Sequence, residues 1–282
     1  MASPPHRQPA APSNSPAAPS TKRSDSSQGT HLVSKLKGKV AVVTGASKGI
    51  GASIAEHLAA QGASVVVNYS SSKAGADAVV DRIRKSGGTA TAVQANVSKE
   101  ADIHHLFAET HKAFKKLDVL VNNAGIYEFA PLESVTAEHY HKQFDLNVLG
   151  LLLATREAAK AMGPEGGSIV NISSIVSPMP VANAAVYSAT KAAVDAITIS
   201  LSLELGPKKI RINSVNPGMV ETEGLHSTGI AASDFRNKLE STTPLGRIAQ
   251  PDDIAKAVVF FATDDAGWVT GQTLVVAGGF RQ

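Results

Sequence analysis

Val40-Ala41-Val42-Val43-Thr44-Gly45-Ala46-Ser47-Lys48-Gly49-Ile50-Gly51 is the stretch that decides the fold. Four consecutive apolar residues, three of them β-branched, read as a strand buried on both faces. Glycines then permit a tight turn, and helical spacing of apolar residues follows over about 49–61. Strand, glycine turn and helix together seat a pyrophosphate, because the backbone can approach it and the helix N-terminus offers free N–H groups. The spacing is G-x-x-x-G-x-G. It places Gly45, Ser47, Lys48, Gly49, Ile50 and Gly51 at the phosphates of a dinucleotide.

The alternation continues outward from this unit. Apolar runs at 65–67, 91–95, 119–121, 169–172, 210–215 and 273–276 alternate with helical patterns near 74–85, 100–115, 137–162, 187–205 and 251–262. Continuously apolar strands, each followed by a helix, predict an α/β fold. The expected form is a Rossmann-type doubly wound parallel sheet of about seven strands, with helices on both faces. Ligands of such a sheet bind beyond the carboxyl ends of its strands.

The bulk properties bound the function classes. The 282 residues are 43% hydrophobic and 18% charged, and Cys is absent, which excludes disulfide and thiolate chemistry. No apolar run approaches the roughly 18 residues of a membrane span. Residues 1–30 are rich in Pro, Ser and Ala and are expected to be a disordered extension, with one domain over 31–282. The net charge of +3 resides in the leader: residues 1–38 hold five Lys or Arg against one Asp, leaving −1 for the rest. The body therefore has no nucleic-acid footprint. Without an apolar h-region the leader is no secretory signal. A cytoplasmic location is expected, with an organelle transit peptide as the alternative for an acid-poor, Ser-rich leader.

Four side chains carry the candidate chemistry. Tyr187 and Lys191 are four apart within a helix-compatible stretch, so phenol and ammonium share one face. A fixed positive charge there is expected to lower the phenol's pKa and to make it a usable acid or base. Ser174 closes a buried-strand pattern and therefore sits at a strand's carboxyl end. Asn147 interrupts a helical pattern with a residue of poor helix propensity, so it either caps a break or performs a task.

The second strand ends Asn68-Tyr69-Ser70-Ser71, with no carboxylate to hold a ribose 2′-hydroxyl or repel a 2′-phosphate. Lys48 can reach that phosphate, and Ser70 and Ser71 can hydrogen-bond it, so NADP(H) is expected over NAD(H). Asn123, Ala124 and Gly125 follow the fourth strand in a turn that passes the adenosine.

The glycine turn, Asn122-Asn123-Ala124-Gly125, Asn147, Ser174 and Tyr187-Ser188-Ala189-Thr190-Lys191 together resemble the single-domain branch of the short-chain dehydrogenase/reductase family, over about 36–279. The nearest resemblance is to its 3-oxoacyl-carrier-protein reductases, glucose dehydrogenases and carbonyl reductases. The resemblance implies Tyr187 as proton donor to a carbonyl, Lys191 as its modulator and ribose ligand, and Ser174 as carbonyl-orienting group. It further implies that Asn147 holds a relay water. Pro217, Gly218 and Val220 would border the nicotinamide, and Thr222 would bind its carboxamide. Asn96 and Val97 stand where relatives place an acid near the adenine, and Ala277 replaces an acidic or amide residue of a terminal D-G-G-like motif. A homotetramer (or homodimer) packed through 137–162 and 187–205 is implied in the same way.

The substrate is expected between 175–185, 127–129 and a lid at 219–243, helical around 231–239. Tyr127, Ser174, Ile175, Met219 and Leu225 would be its neighbours. His104-His105 and His139-x-His141 do not share helix faces, so no metal site is expected. Three functions remain: a ketone or aldehyde reductase, an oxidative sugar or alcohol dehydrogenase, and a non-catalytic NADP-binding protein.

Overall fold

The computed structural model describes residues 1, 34–223, 225 and 234–280. The leader, the middle of the expected lid and the start of its helix lie outside the described residues. Residues from Ser34 onward form one compact unit.

Its strands are β1 Val40–Val43, β2 Ser64–Tyr69, β3 Thr89–Gln94, β4 Val119–Asn122, β5 Gly167–Ile172, β6 Ile210–Pro217 and β7 Thr273–Val276. All pair in parallel, in the order β3-β2-β1-β4-β5-β6-β7. The order reverses between β1 and β4, so the cleft opens where Thr44–Gly51 and Asn122–Gly125 leave the sheet. The described helices are α1 Gly49–Ala60, α2 Lys73–Lys85, α3 Glu100–Phe114, α4 Ala137–Phe144, α5 Leu151–Ala161, α6 Ala185–Leu205, α7 Asp234–Thr242 and α8 Pro251–Ala262.

Strand side chains alternate between two cores, as the pleat requires. Ala41, Val43, Val65 and Val67 meet Ile54 and Leu58 of α1, Val79 of α2 and Ile254 of α8. Val42, Val66, Leu120 and Ile169 face the other way, onto Ile103 and Leu106 of α3 and Ala158 of α5. Both faces of the inner strands are therefore dry, which is why β1, β2 and β4 read as apolar runs, while the edge strand β7 stays exposed.

One expected element differs. The helix predicted over 137–162 is two helices joined by a π-helical turn, Asp145–Gly150. The wide turn carries Asn147 inward, where it is 2% exposed. An internal amide there would be costly without partners, and its hydrogen bonds show why the helix widens.

Candidate active site

Thr44 and Asn123 tie the glycine turn to the neighbouring strand end. Thr44 Oγ1 accepts the N–H groups of Asn123 and Ala124, both at 3.0 Å, and Asn123 Nδ2 donates to the carbonyls of Thr44 and Gly45. Gly45 adopts φ +62°, and an added Cβ would lie 2.9 Å from Ala124 Cα. The glycine is needed for this contact as well as for the turn.

Asn68 holds the turn from the other side. Its Oδ1 accepts from Gly45 N at 3.1 Å while Nδ2 donates to Ala95 O at 3.0 Å. The expected cofactor residue is therefore a buried strut beneath the turn, and Tyr69 is buried beside it. Asn96 Oδ1 accepts from Ser98 N and Oγ, and Val97 is buried. Ser47, Ala124, Asn68, Tyr69, Ser70, Ser71, Asn96 and Val97 stand around the cleft without lining it. Ser70 and Ser71 are exposed at the end of β2.

A cavity of about 1060 Å³ occupies the carboxyl edge of the sheet. Gly45, Lys48, Gly49, Ile50 and Gly51 form one wall, with Asn123 and Gly125 next to them. Ser174, Ile175, Tyr187 and Lys191 line its centre. Pro217, Gly218, Met219, Val220, Thr222 and Leu225 line the far side, together with Ala277.

The donor set suits a dinucleotide phosphate. No side chain caps the N-terminus of α1, and no acid stands in its first turn. Its free N–H groups and the exposed Lys48 thus face the cleft with positive potential.

At the centre, Asn147 Oδ1 accepts the N–H of Ile126 at 2.9 Å, and Nδ2 donates to Ile126 O at 2.8 Å and Thr190 Oγ1 at 3.2 Å. Thr190 Oγ1 donates to the Tyr187 carbonyl at 2.7 Å. Lys191 is 7% exposed and its Nζ donates to Ile172 O at 3.0 Å. A Cβ on Gly125 would sit 3.2 Å from Asn147 Oδ1 and 3.7 Å from Lys191 Nζ. Glycine here keeps the space beside the ammonium clear.

The electrostatics reverse one expectation. Burial, opposed by contact with Ser174, raises the Tyr187 pKa above the ordinary phenol value. Lys191 Nζ lies 5.8 Å from the Tyr187 ring centroid, and burial pushes its own pKa down to about 8, against the pull of Asp195. Sequence spacing predicts the neighbours but not their desolvation, and desolvation wins. The phenol is protonated at neutral pH.

Two rings converge on this phenol. Tyr127 and Phe129 lie 6.0 and 6.2 Å from Tyr187, centroid to centroid, and 5.9 Å from each other, all tilted or edge-on. Tyr127 is 43% and Phe129 53% exposed, so both rings keep open faces toward the cavity. Met179, Val181 and Phe280 add apolar lining. Phe280 escaped sequence reading because nothing local distinguishes a terminal Phe.

Among the described residues, no three His, Cys, Asp or Glu side chains are placed to hold a metal ion. His139 instead meets Gln143 Nε2 at 2.9 Å. None of the described helices is long and apolar enough to cross a membrane.

Residues 45–281 match a family model described as enoyl-(acyl carrier protein) reductase. The chain is 59% identical over 249 residues to an uncharacterized oxidoreductase of Methylorubrum extorquens, covering 88% of this chain and 100% of that one. It is 40% identical over 255 residues to the hydroxynaphthalene reductase-like protein Arp2 of Metarhizium robertsii, covering 86% and 95%. The solved structure of the angucycline C-6 ketoreductase LanV with bound NADP superposes with a TM-score of 0.81 at 34% identity, covering 87% of this chain and 96% of that one.

Proposed function

The chain belongs to the short-chain dehydrogenase/reductase family, and from that premise we propose that it is an NADPH-dependent ketoreductase acting on a carbonyl carried by an aromatic polycycle. The observation that carries this reading is the meeting of the protonated Tyr187 phenol with the open rings of Tyr127 and Phe129. A relative described as hydroxynaphthalene reductase-like and a structural neighbour described as an angucycline ketoreductase support the same substrate class.

The first-turn N–H groups of α1 hold the pyrophosphate and Lys48 the 2′-phosphate, since β2 ends without a carboxylate. Pro217, Gly218 and Val220 flank the nicotinamide and Thr222 takes its carboxamide. The bound cofactor supplies the hydride. Ser174 orients the substrate oxygen, and Tyr187 Oη gives it the proton, so that C=O becomes CH–OH. Lys191 binds the ribose and limits charge build-up on the phenolate left behind. Asn147 keeps the Ile126 loop and Lys191 in register and holds a water through which Tyr187 recovers its proton.

The same reading includes self-association. Ile199 and Leu203 on α6, with Tyr140 and Leu149 across α4 and the π-helical turn, expose apolar surface that a second copy would cover.

The test follows NADPH oxidation with β-tetralone and with its saturated counterpart β-decalone. We expect kcat/KM about tenfold higher for β-tetralone, from stacking on the two open rings. The preference should vanish in Tyr127→Leu/Phe129→Leu. Consumption of NADPH with neither ketone, nor with simple carbonyls, would defeat the proposal.

A further inference from the structure

Asp195 lies one helical turn beyond Lys191, so Tyr187, Lys191 and Asp195 follow at four-residue steps along one face of α6. Its carboxylate is half-buried and takes hydrogen bonds from three side chains. Ser177 Oγ donates to Oδ2 at 2.5 Å, Asn216 Nδ2 to Oδ2 at 2.7 Å, and Ser214 Oγ is 3.1 Å from Oδ1. These donors come from two neighbouring segments that run on from the paired ends of β5 and β6. Ser177 belongs to the loop that follows Ser174. Ser214 and Asn216 close β6, directly ahead of Pro217-Gly218.

Asn216 Nδ2 also lies 3.3 Å from the carbonyl of Ser174, and Ile175 N donates to Pro217 O at 2.9 Å. Ser173 Oγ donates to the backbone carbonyl of Lys191 at 3.1 Å. One carboxylate thus stands where the Ser174 loop, the β6 end and the Tyr187 helix join. Hydrogen bonds to an ionised acceptor are the stronger kind, and each of these donors is itself held by the sheet or the loop.

We propose, resting on the ketoreductase reading above, that Asp195 is a positioning residue for the reduction: it clamps the Ser174 loop to the strand end beside the nicotinamide and supplies the counter-charge for Lys191. Burial works against the ammonium, and Asp195 works for it. The other groups facing Lys191 are the Tyr187 phenol on the same helix, the Ile172 carbonyl of β5 and the neutral Asn147 of the π-helical turn. Tyr127, from the loop after β4, acts on Tyr187. Ser177, Ser214 and Asn216 carry no charge. Asp195 is therefore the carboxylate that partly offsets what burial costs the Lys191 ammonium.

Asp195→Asn, Asp195→Glu and Asp195→Ala are compared with the parent protein in two assays. One is β-tetralone reduction by NADPH as a function of pH; the other is the Lys191 titration followed by ¹³Cε NMR without substrate. Asp195→Asn should lower kcat about tenfold, with the NADPH Kd within about twofold, because the loop shifts while the phosphate site is untouched. Its Lys191 midpoint and the basic limb of kcat should both move to lower pH, since a negative charge has gone. Asp195→Glu should restore both midpoints, and Asp195→Ala should lower kcat about a hundredfold. A Lys191 midpoint in Asp195→Asn that superimposes on the parent's would overturn the proposal. Absence of β-tetralone turnover in the parent would instead remove the ketoreductase reading, and the NMR midpoint would still decide the role of Asp195 toward Lys191.

Discussion

Asn147 and Ile126 grip each other through both halves of one amide, with Oδ1 accepting the Ile126 N–H at 2.9 Å and Nδ2 donating to its carbonyl at 2.8 Å. The side chain imitates a strand neighbour for a loop that has none. That loop leads to Tyr127 and Phe129, so the amide positions the aromatic wall as well as the Thr190 turn of α6. Asn147→Ala should therefore cost about 2–4 kcal/mol of stability, as two part-buried backbone groups lose their partners. Selectivity for β-tetralone over β-decalone should fall with it. Urea unfolding and the ketone pair measure the two effects; an unchanged transition midpoint would contradict the bracing role.

Tyr187→Phe removes one oxygen and keeps the ring in its aromatic cluster. Fluorescence titration should find NADPH affinity within about twofold of the parent. Turnover should drop by about 10³-fold, the size of a lost general acid. Turnover close to that of the parent would show that another group delivers the proton.

Lys48 is exposed, stands at the mouth of the glycine turn, and its side chain makes no capping bond. Lys48→Ala should weaken NADPH binding by about tenfold or more while leaving NADH nearly unaffected, since only the former carries the 2′-phosphate. Equal losses for the two cofactors would place the 2′-phosphate elsewhere.

Lys191 gives a signed pH dependence. Its folded pKa of about 8 lies below the value of about 10.4 that an unfolded lysine has. Below about pH 8 the folded protein bears the full cost of a buried ammonium, on the order of 3 kcal/mol. Between about pH 8 and 10.4 the unfolded chain binds the proton that the folded one has released, so this contribution to stability rises with pH. Lys191→Met should thus be more stable than the parent at pH 7, by about 2 kcal/mol once the lost Ile172 hydrogen bond is deducted. The gap should close by about pH 10.5, and activity should be abolished at both. Chemical denaturation at the two pH values checks it, and a gap that does not change with pH would refute the assignment.

Much of this architecture can be read along the chain, and the exceptions share a cause. Strands buried on both faces announce themselves as runs such as Val40–Val43, and Pro251–Ala262 is bounded as the Pro at its start suggests. Asn147 was conspicuous as a polar residue in a helix, but the turn that accommodates it depends on Ile126, 21 residues earlier. Asn68 holds its expected place at the end of β2, yet its amide turns beneath the glycine loop, because three backbone groups there need partners. Asp195 could not be singled out, since its donors Ser177, Ser214 and Asn216 converge only once β5 and β6 are paired. Spacing reports which groups are neighbours; burial decides what they do, and burial is a property of the whole fold.

The π-helical turn at Asp145–Gly150 has a consequence for how this site can change. A wide turn holds one residue more than a regular one, so deleting any one of its six residues would restore ordinary helical winding. The same deletion would swing Asn147 by about 100° around the axis, or replace it, and release the Ile126 loop. Regular winding of this segment and an anchored aromatic wall are therefore mutually exclusive in this fold.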